Sequence, residues 1–378
     1  MSFVHFYPWR KYMECLKRPT GSVGTLEWLN SLKAEAPDEA IRQQILQNWD
    51  KVAKPIDGLG EFEKLIARMG AVLGSSQLQL SPKAVLVLCA DNGIVEEGVS
   101  QSGQEVTLAV ARAMGRQESA VGRMAKAVGA DIILVDMGIN YSGPIPGVMS
   151  KKVRCSTRNF HKEPAMTLEE TLQAIRTGVS LVEEAKNKGY QILATGELGI
   201  GNTTTSTAVA AALLQLPVKE VCGRGAGLSD EGLGRKEKII EEAIQKYGLY
   251  KAKPLEVLMT VGGLDIAGLT GVCMGGALHH VPILLDGVIS MTAALLAERL
   301  LPGTKDYLFP SHKGKEPAME KIAKALGLEP VIDAKMALGE GTGAVMMLSL
   351  LEIALSVYED SATFSHMQLE PYHRYESL

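Results

Sequence analysis

The sequence lacks the short motifs that mark several common enzyme classes. It contains no GxxxxGKS/T phosphate loop, no HExxH helix, no GxSxG nucleophile elbow and no paired acidic motif of the type that holds magnesium pyrophosphate. Its only adjacent histidines, His279 and His280, point to different sides of a helix or strand and are poor co-ligands for one metal. We therefore expect no metal site.

Neither sign of charge is in clear excess, and cysteine is sparse. The 378 residues include 39 Lys and Arg against 43 Asp and Glu, a net charge of −4, with no basic run interleaved with aromatics. This excludes nucleic acid as the expected partner and favours small-molecule substrates. The five cysteines are scattered without CxxC spacing, which suits a reducing cytoplasm: Cys15, Cys89, Cys155, Cys222 and Cys273.

Long hydrophobic runs are also scarce. The longest apolar stretches, residues 288–297 and 344–357, are too short or too interrupted to span a bilayer. The N-terminus reaches Arg10 and Lys11 early and lacks the apolar core of a signal peptide. We therefore expect a soluble, cytoplasmic protein with no membrane partner.

The apolar pattern predicts an α/β fold. Residues 1–80 show helical spacing, whereas from residue 84 short apolar runs alternate with helical patterns, which is typical of a parallel sheet covered on both faces. The six candidate strands are residues 84–90, 132–135, 191–195, 257–261, 282–285 and 307–309. We predict an open, mostly parallel, Rossmann-like sheet in residues 81–316, with a smaller helical domain built from residues 1–80 and 317–378.

Polar residues follow most of the candidate strands. In open parallel sheets, ligands bind beyond the carboxyl ends of the strands, so these residues predict a cleft even though any single Asp there is more often a helix cap. They are Asp91, Asn92, Asp136, Glu197, Asp265, Asp286, Ser311 and His312.

A glycine loop, GELGIGNTTT at residues 196–205, joins the third candidate strand to an Ala-rich helix. Glycines allow close approach to a ligand, and the exposed N–H groups of a helix start attract an anion. The alternative is an ordinary strand-to-helix turn with a good cap, which this stretch alone fits equally well. Glu197 favours a ligand site, because a carboxylate beside an anion cradle is more easily understood as a group that acts on the ligand.

Two further glycine loops could face the same cleft. GRGAGLSD, residues 223–230, precedes a helix that carries Lys236, and it lacks the GxGxxG spacing of a dinucleotide site. LGEGTG, residues 338–343, places Glu340 between glycines before an apolar helix. In a dry site such a glutamate would have a raised pKa suited to a base, whereas the simpler interpretation is a solvent-exposed turn.

Taken together, these motifs resemble one family, the nicotinate-nucleotide:5,6-dimethylbenzimidazole phosphoribosyltransferases of cobalamin lower-ligand assembly. The resemblance covers about residues 55 to 355. The matching blocks, in the family's order, are ADNG (90–93), EGVS (97–100), GELGIGNTT (196–204), GGLDIAG (262–268), LDG (285–287), PSH (310–312) and LGEGTG (338–343).

The resemblance implies roles for residues inside and near these blocks, and it implies no cofactor. Glu340 would be the catalytic base and Glu197 would assist it. The nucleotide and its phosphate would be held by Lys236, Ser311, Gly199, Gly201, Asn202, Gly225, Gly227 and Gly341. The aromatic base would be bound by Ser102, Val110, Leu198 and Asp91, and the chain would form a dimer.

The chain departs from the family's pattern mainly near the expected base pocket. Asn92 stands where the family usually has His, Gly103 stands where proline is common, PIDGLG (55–60) replaces a proline-rich turn, and about two dozen residues extend the N-terminus. In these changes the chain resembles a divergent branch of the family, whose members work as a pair of related chains and also activate phenols. A phenol-activating heterodimer subunit, a non-catalytic partner in such a pair and a nucleotide-binding regulator therefore stay open as alternatives. The presence of both Glu197 and Glu340 argues against the non-catalytic partner.

Overall fold

The computed structural model describes residues 25–375, so Cys15 and the N-terminal extension lie outside the described residues. The helices are α1 Leu26–Ser31, α2 Glu39–Lys51, α3 Glu61–Leu73, α4 Glu105–Gly115, α5 Ala120–Ala127, α6 Leu168–Asn187, α7 Asn202–Leu214, α8 Val218–Val221, α9 Asp230–Tyr247, α10 Pro254–Val261, α11 Leu264–His279, α12 Val288–Leu300, α13 Ala318–Leu326 and α14 Thr342–Asp360. The strands are β1 Lys83–Ala90, β2 Asp131–Gly138, β3 Met149–Ser150, β4 Ile192–Leu198, β5 Ile283–Leu285 and β6 Leu308–Pro310.

The strands form one parallel sheet in the order β3-β2-β1-β4-β5-β6. The chain winds outward from β1 to β3, then returns to β1 and continues on its other side with β4. The strand order therefore reverses between β1 and β4, and in open parallel sheets the ligand crevice lies beyond the carboxyl ends of the strands at this point. The α/β fold with a six-stranded parallel sheet, predicted from the apolar runs, is confirmed.

One predicted strand is wrong. Residues 257–261 belong to helix α10, which Pro254 opens and which Glu256 caps by accepting a 2.9 Å hydrogen bond from the Lys253 amide. The last five residues of this helix are all buried, so no polar face reveals the helical period, and a short apolar run then reads equally well as a strand. The sixth strand is instead β3, whose two residues carry no readable pattern.

The sheet separates two apolar layers. Alternate residues of β1 point to opposite faces, so Leu86 and Leu88 enter the layer under α6 and α11, whereas Val85 and Val87 enter the layer under α3 and α14. Because both faces are covered, β1 is buried along its whole length. This rigid base carries the loops of the crevice.

Helix α14 begins at the crevice and covers one face of the sheet. By length and composition alone it is the one helix among the described residues that could cross a membrane, which is weak evidence for a span. Half of its most apolar window is buried, and Met347, Leu348 and Leu351 lie in the sheet core. A core helix of a soluble domain has the same composition.

Candidate active site

The candidate site lies where β1 and β4 end side by side. Glu197, next to the last residue of β4, pairs in register with Leu88 of β1, and Asp91 and Asn92 follow β1 directly. Both Asp91 and Asn92 are fully buried. The topology thus gathers at one edge the polar residues that the sequence places after separate strands.

Glu197 is half-buried near the buried carboxylates of Asp265 and Asp286, and an amide bridges it to Asp265. The side-chain amide of Asn202 donates hydrogen bonds to Glu197 and, at 3.2 Å, to Asp265. Burial and the nearby carboxylates of Asp265 and Asp286 raise the pKa of Glu197 to about 8, and burial raises the pKa of Asp265 to about 7. A positively charged ligand group would relieve this repulsion and is the natural complement of these carboxylates.

Glu340 is held in an unusual backbone conformation. Gly339, Glu340 and Gly341 have φ values of 81°, 62° and 95°, and the left-handed region costs a non-glycine residue roughly 1–2 kcal/mol. The conformation directs Glu340 Oε2 to the start of α5, where it accepts a hydrogen bond from Val121 N at 3.3 Å. Burial raises the pKa of Glu340, the Val121 bond lowers it and the charge of Asp286 raises it. A raised pKa makes the carboxylate a stronger base.

The loops of the two glutamates touch. A Cβ atom at Gly339 would lie 2.7 Å from Glu197 Oε1, and one at Gly196 would lie 2.5 Å from the carbonyl oxygen of Glu340. Only glycine fits at either position without moving the neighbouring chain. The sequence motifs around Glu197 and Glu340, far apart in the chain, therefore form one wall of the crevice.

A second region holds a buried cation. Lys236 on α9 is fully buried, and its ammonium group donates to Thr203 Oγ1 at 3.1 Å and to the Gly223 carbonyl at 2.9 Å. Within residues 25–375 no carboxylate forms an ion pair with it, and burial lowers the pKa of its ammonium group. Cys222 and Glu316 raise this pKa through their charges, although neither is an ion-pair partner of the ammonium. A buried ammonium without an ion pair among the described residues is well suited to bind an anion.

The loops around Lys236 contact one another. A Cβ atom at Gly225 would lie 2.7 Å from Thr203 Oγ1, and the Gly225 amide donates to Glu316 Oε1 at 3.0 Å. The Gly227 carbonyl accepts a hydrogen bond from Gln101, which follows the EGVS block. The glycines of residues 223–227 thus lie between the loop of Thr203 and the segment after β6.

The remaining predicted nucleotide-binding residues lie at the strand ends between these two regions. Ser311, after β6, is buried and its Oγ lies 2.9 Å from His312 Nδ1. A Cβ atom at Gly199 would lie 2.1 Å from the carbonyl oxygen of Ala90, so this glycine packs against the end of β1. Gly201, with φ of 93°, opens helix α7, and the Asn202 side chain is directed to the carboxylates rather than to Lys236.

The predicted base-binding residues divide between polar and apolar surroundings. Val110 on α4 and the buried Leu198 belong to the same apolar layer, and Ser102 lies partly exposed between the EGVS block and α4. Asp91 Oδ2 accepts a 2.8 Å hydrogen bond from Asn140 N. Burial raises the pKa of Asp91. Asp91 thus anchors the loop after β2 to the end of β1.

Sequence reasoning missed three groups that complete the site. They are the Val121 amide that receives Glu340, the Thr203 hydroxyl that contacts Lys236, and the Glu316 carboxylate that fixes Gly225. The sequence does carry a signal for the Val121 amide, because Ser119 is a typical helix-capping residue. Ser119 accepts a hydrogen bond from Gly122 N and so marks the start of α5. Among the described residues, no group of three or more His, Cys, Asp or Glu side chains is arranged to hold a metal ion.

Comparison with known proteins gives matches over almost the whole chain. A family model described as phosphoribosyltransferase matches residues 34–368. The chain is 42% identical over 348 residues to a nicotinate-nucleotide–dimethylbenzimidazole phosphoribosyltransferase of Acetivibrio thermocellus, covering 92% of this chain and 98% of the relative. It is 40% identical over 335 residues to the protein of the same name from Clostridium acetobutylicum, covering 89% and 95%. The crystal structure of CobT from Thermus thermophilus is similar with a TM-score of 0.83 and 37% identity, covering 88% of this chain and 99% of that one.

Proposed function

This chain belongs to the nicotinate-nucleotide–dimethylbenzimidazole phosphoribosyltransferase family, as its motifs predict, and we propose that it transfers the phosphoribosyl group of nicotinate mononucleotide to an aromatic base. The acceptor would be 5,6-dimethylbenzimidazole or an analogue, and the products an α-riboside phosphate and nicotinate for cobamide biosynthesis. The observation that carries the proposal is the extent of the family match, because residues 34–368 include every loop of the crevice.

Glu340 is the proposed base. Nicotinate mononucleotide carries a pyridinium at the anomeric carbon, so the leaving group departs neutral at its nitrogen and needs no acid. The acceptor must instead lose its azole N–H proton as its other nitrogen forms the new bond. Glu340 is partly buried and has a raised pKa, which suits that role, and such a base contributes about 10²–10⁴-fold.

Glu197 and Asp265 would stabilise the positive charge of the substrate. Their raised pKa values, about 8 and about 7, leave Glu197 largely and Asp265 partly protonated near neutral pH. The pyridinium, and the charge that develops on the ribose in the transition state, favour the ionised forms and so lower both pKa values. Asn202 holds the two carboxyl groups in place from one amide.

Lys236 would hold the nucleotide phosphate, together with backbone amides of the neighbouring loops. Its burial excludes competing water, and its proposed partners in the neighbouring loop are Gly225 and Gly227. Ser311 would add a hydroxyl. Supporting positions for the nucleotide would be Gly199, Gly201, Asn202 and Gly341.

The acceptor pocket would lie between Val110 and Leu198, with Ser102 as its hydroxyl and Asp91 at its base. Apolar walls with one hydroxyl discriminate weakly by polarity, so related aromatics should also be accepted. The relatives described above are named for dimethylbenzimidazole, which favours that acceptor over a phenol.

The chain is proposed to act as a cytoplasmic dimer. Met346, Leu350 and Ile353 lie on one side of α14 and expose 46%, 36% and 63% of their surface. An exposed apolar stripe at helical spacing is typical of an interface. Sedimentation of the chain alone tests this: a dimer supports a homodimer, and a monomer indicates a related partner chain. The division into residues 1–80, 81–316 and 317–378 stays a proposal.

The test of function is release of nicotinate by the purified chain. Nicotinate mononucleotide is incubated with and without dimethylbenzimidazole, and nicotinate and the new riboside phosphate are followed by chromatography. Release of both products in equal amounts, dependent on the acceptor, is expected. Binding of the nucleotide without products would support the regulator, and no reaction without a paralogue present would support the paired enzyme.

A further inference from the structure

The conformation of the Glu340 loop needs a source of restraint. Gly339, Glu340 and Gly341 are three consecutive residues with positive φ. The two glycines adopt it freely, but Glu340 keeps it only where the surroundings determine it. Gly341 also precedes the first residue of α14, and glycine has no side chain to satisfy the free N–H groups at a helix start.

Asp286, at the end of β5, supplies the missing cap. Its Oδ2 accepts a hydrogen bond from Gly341 N at 3.1 Å, and its Oδ1 accepts from Gly343 N at 2.8 Å and from Ala344 N at 3.2 Å. The side chain is almost completely buried, with 1% of its surface exposed. One carboxylate at the end of β5 thus accepts from three backbone amides directly after Glu340. Burial raises the pKa of Asp286, whereas His312 and these three amides lower it.

Asp286 is itself held on three sides. Its amide donates to Thr195 Oγ1 on β4 at 3.2 Å, and His312 Nδ1 lies 3.9 Å from its Oδ1. A Cβ atom at Gly343 would lie 2.0 Å from His312 Nδ1, so the helix start is packed against the histidine ring. Asp286 is therefore fixed by contacts with three elements: strand β4, the end of β6 and the start of α14.

We propose that Asp286 is a positioning residue that holds Glu340 in its catalytic orientation. It acts through the backbone of Gly341 and touches neither substrate nor acceptor. The proposal rests on the proposed function, because Glu340 needs this orientation only if it takes a proton from the acceptor.

The charge of Asp286 gives the proposal a second observable. The groups that face Glu340 are Asp286 from β5, Glu197 from β4 and the Val121 amide from α5, and His312 contacts Asp286 from the β6 side. The negative charge of Asp286 raises the pKa of Glu340. Removing that charge should lower this pKa and move the acidic limb of the kcat profile to lower pH.

The test is Asp286→Asn, which keeps the shape of the side chain but replaces one of its two hydrogen-bond-accepting oxygens with an NH2 group. Its kcat should fall roughly 10- to 100-fold because a small displacement of a catalytic group costs that much, while the KM for nicotinate mononucleotide changes less than about threefold. The acidic limb of the kcat–pH profile should shift to lower pH. The double variant with Glu340→Gln should be no slower than Glu340→Gln alone, since both changes remove the same function. Asp360→Asn, exposed at the other end of α14, is the matched control and should behave as wild type.

Hydrogen exchange separates this inference from the proposed function. Amides of residues 341–344 should exchange at least about tenfold faster in Asp286→Asn than in wild type, whether or not the chain releases nicotinate. Unchanged exchange, an unmoved pH profile or losses that multiply in the double variant would overturn the positioning role. If Asp286→Asn does not fold, Thr195→Val, which removes the hydroxyl under the Asp286 amide and keeps the Asp286 charge, must lower kcat and speed the exchange of amides 341–344. No change in either readout would equally overturn the positioning role.

Discussion

Replacing Lys236 with methionine should separate phosphate binding from folding. The ammonium group is buried, donates to Thr203 Oγ1 and to the Gly223 carbonyl, and forms no ion pair within residues 25–375. Methionine fills the same space without the charge. If Lys236 holds the nucleotide phosphate, the substitution removes one charge-assisted hydrogen bond from the complex.

The expected loss follows from that single contact. A hydrogen bond to a charged group contributes about 1.5–3 kcal/mol, so nicotinate mononucleotide should bind roughly 10- to 150-fold more weakly. Stability should change little. Burial lowers the pKa of the Lys236 ammonium, so the folded state bears a charge penalty that is present below the lowered pKa and vanishes as pH rises toward 10.5. Relief of this penalty offsets the lost bonds to Thr203 and Gly223, leaving the free energy of unfolding within about 2 kcal/mol of wild type at pH 7.

Titration calorimetry and urea unfolding measure the two effects. The nucleotide Kd should rise, and the Kd for free dimethylbenzimidazole should stay unchanged. Lys238→Met is the matched control, because Lys238 is exposed on the same helix. Equal losses for both ligands, or a nucleotide Kd identical to that of wild type, would refute the assignment of Lys236 to the phosphate.

Three further predictions follow from the same geometry. In Glu197→Gln the pH dependence of stability should flatten. The wild-type carboxyl has a pKa of about 8 in the folded state, so wild type loses on the order of a few kcal/mol of stability as pH rises from 4.5 through 8. If the urea midpoints of both proteins are the same at pH 5 and also at pH 9, this prediction is contradicted. Gly341→Ala should destabilise the protein by about 1–3 kcal/mol, because Gly341 has φ of 95° and the added Cβ would lie 2.8 Å from Val85 Cγ1. Gly234→Ala should stabilise α9 by roughly 0.5–1 kcal/mol, because nothing lies within 4 Å of the added Cβ. Changes of the same sign in the two free energies of unfolding, measured in urea, would contradict this prediction. In competition, dimethylbenzimidazole should be preferred to p-cresol by no more than a few kcal/mol, and complete refusal of phenols, with and without a paralogue, would exclude the phenol-activating alternative.

Most of the fold could be predicted because buried parallel strands are continuous apolar runs. The runs at residues 84–90 and 282–285 locate β1 and β5 within a residue at each end. Each failure has a physical cause. The last five residues of α10 are all buried, so its helical period is invisible, and β3 is too short to show a period.

The sequence points to single candidate residues but not to the contacts between them. Glu197 and Glu340 stand out in the sequence because each is a carboxylate in a glycine loop. Nothing in the sequence says that Gly339 packs against Glu197, or that Asp286 caps the helix after Glu340. Such contacts join segments distant in the chain and depend on strand order, which local patterns do not encode.

The most direct test of the central claim is the turnover of Glu340→Gln. The amide keeps the shape of the side chain and cannot take a proton, so kcat for nicotinate release should fall by about 100-fold or more while the Kd for nicotinate mononucleotide stays at the wild-type value. Glu320→Gln, exposed on α13, is the control and should turn over normally. Turnover of Glu340→Gln at the wild-type rate would contradict the account.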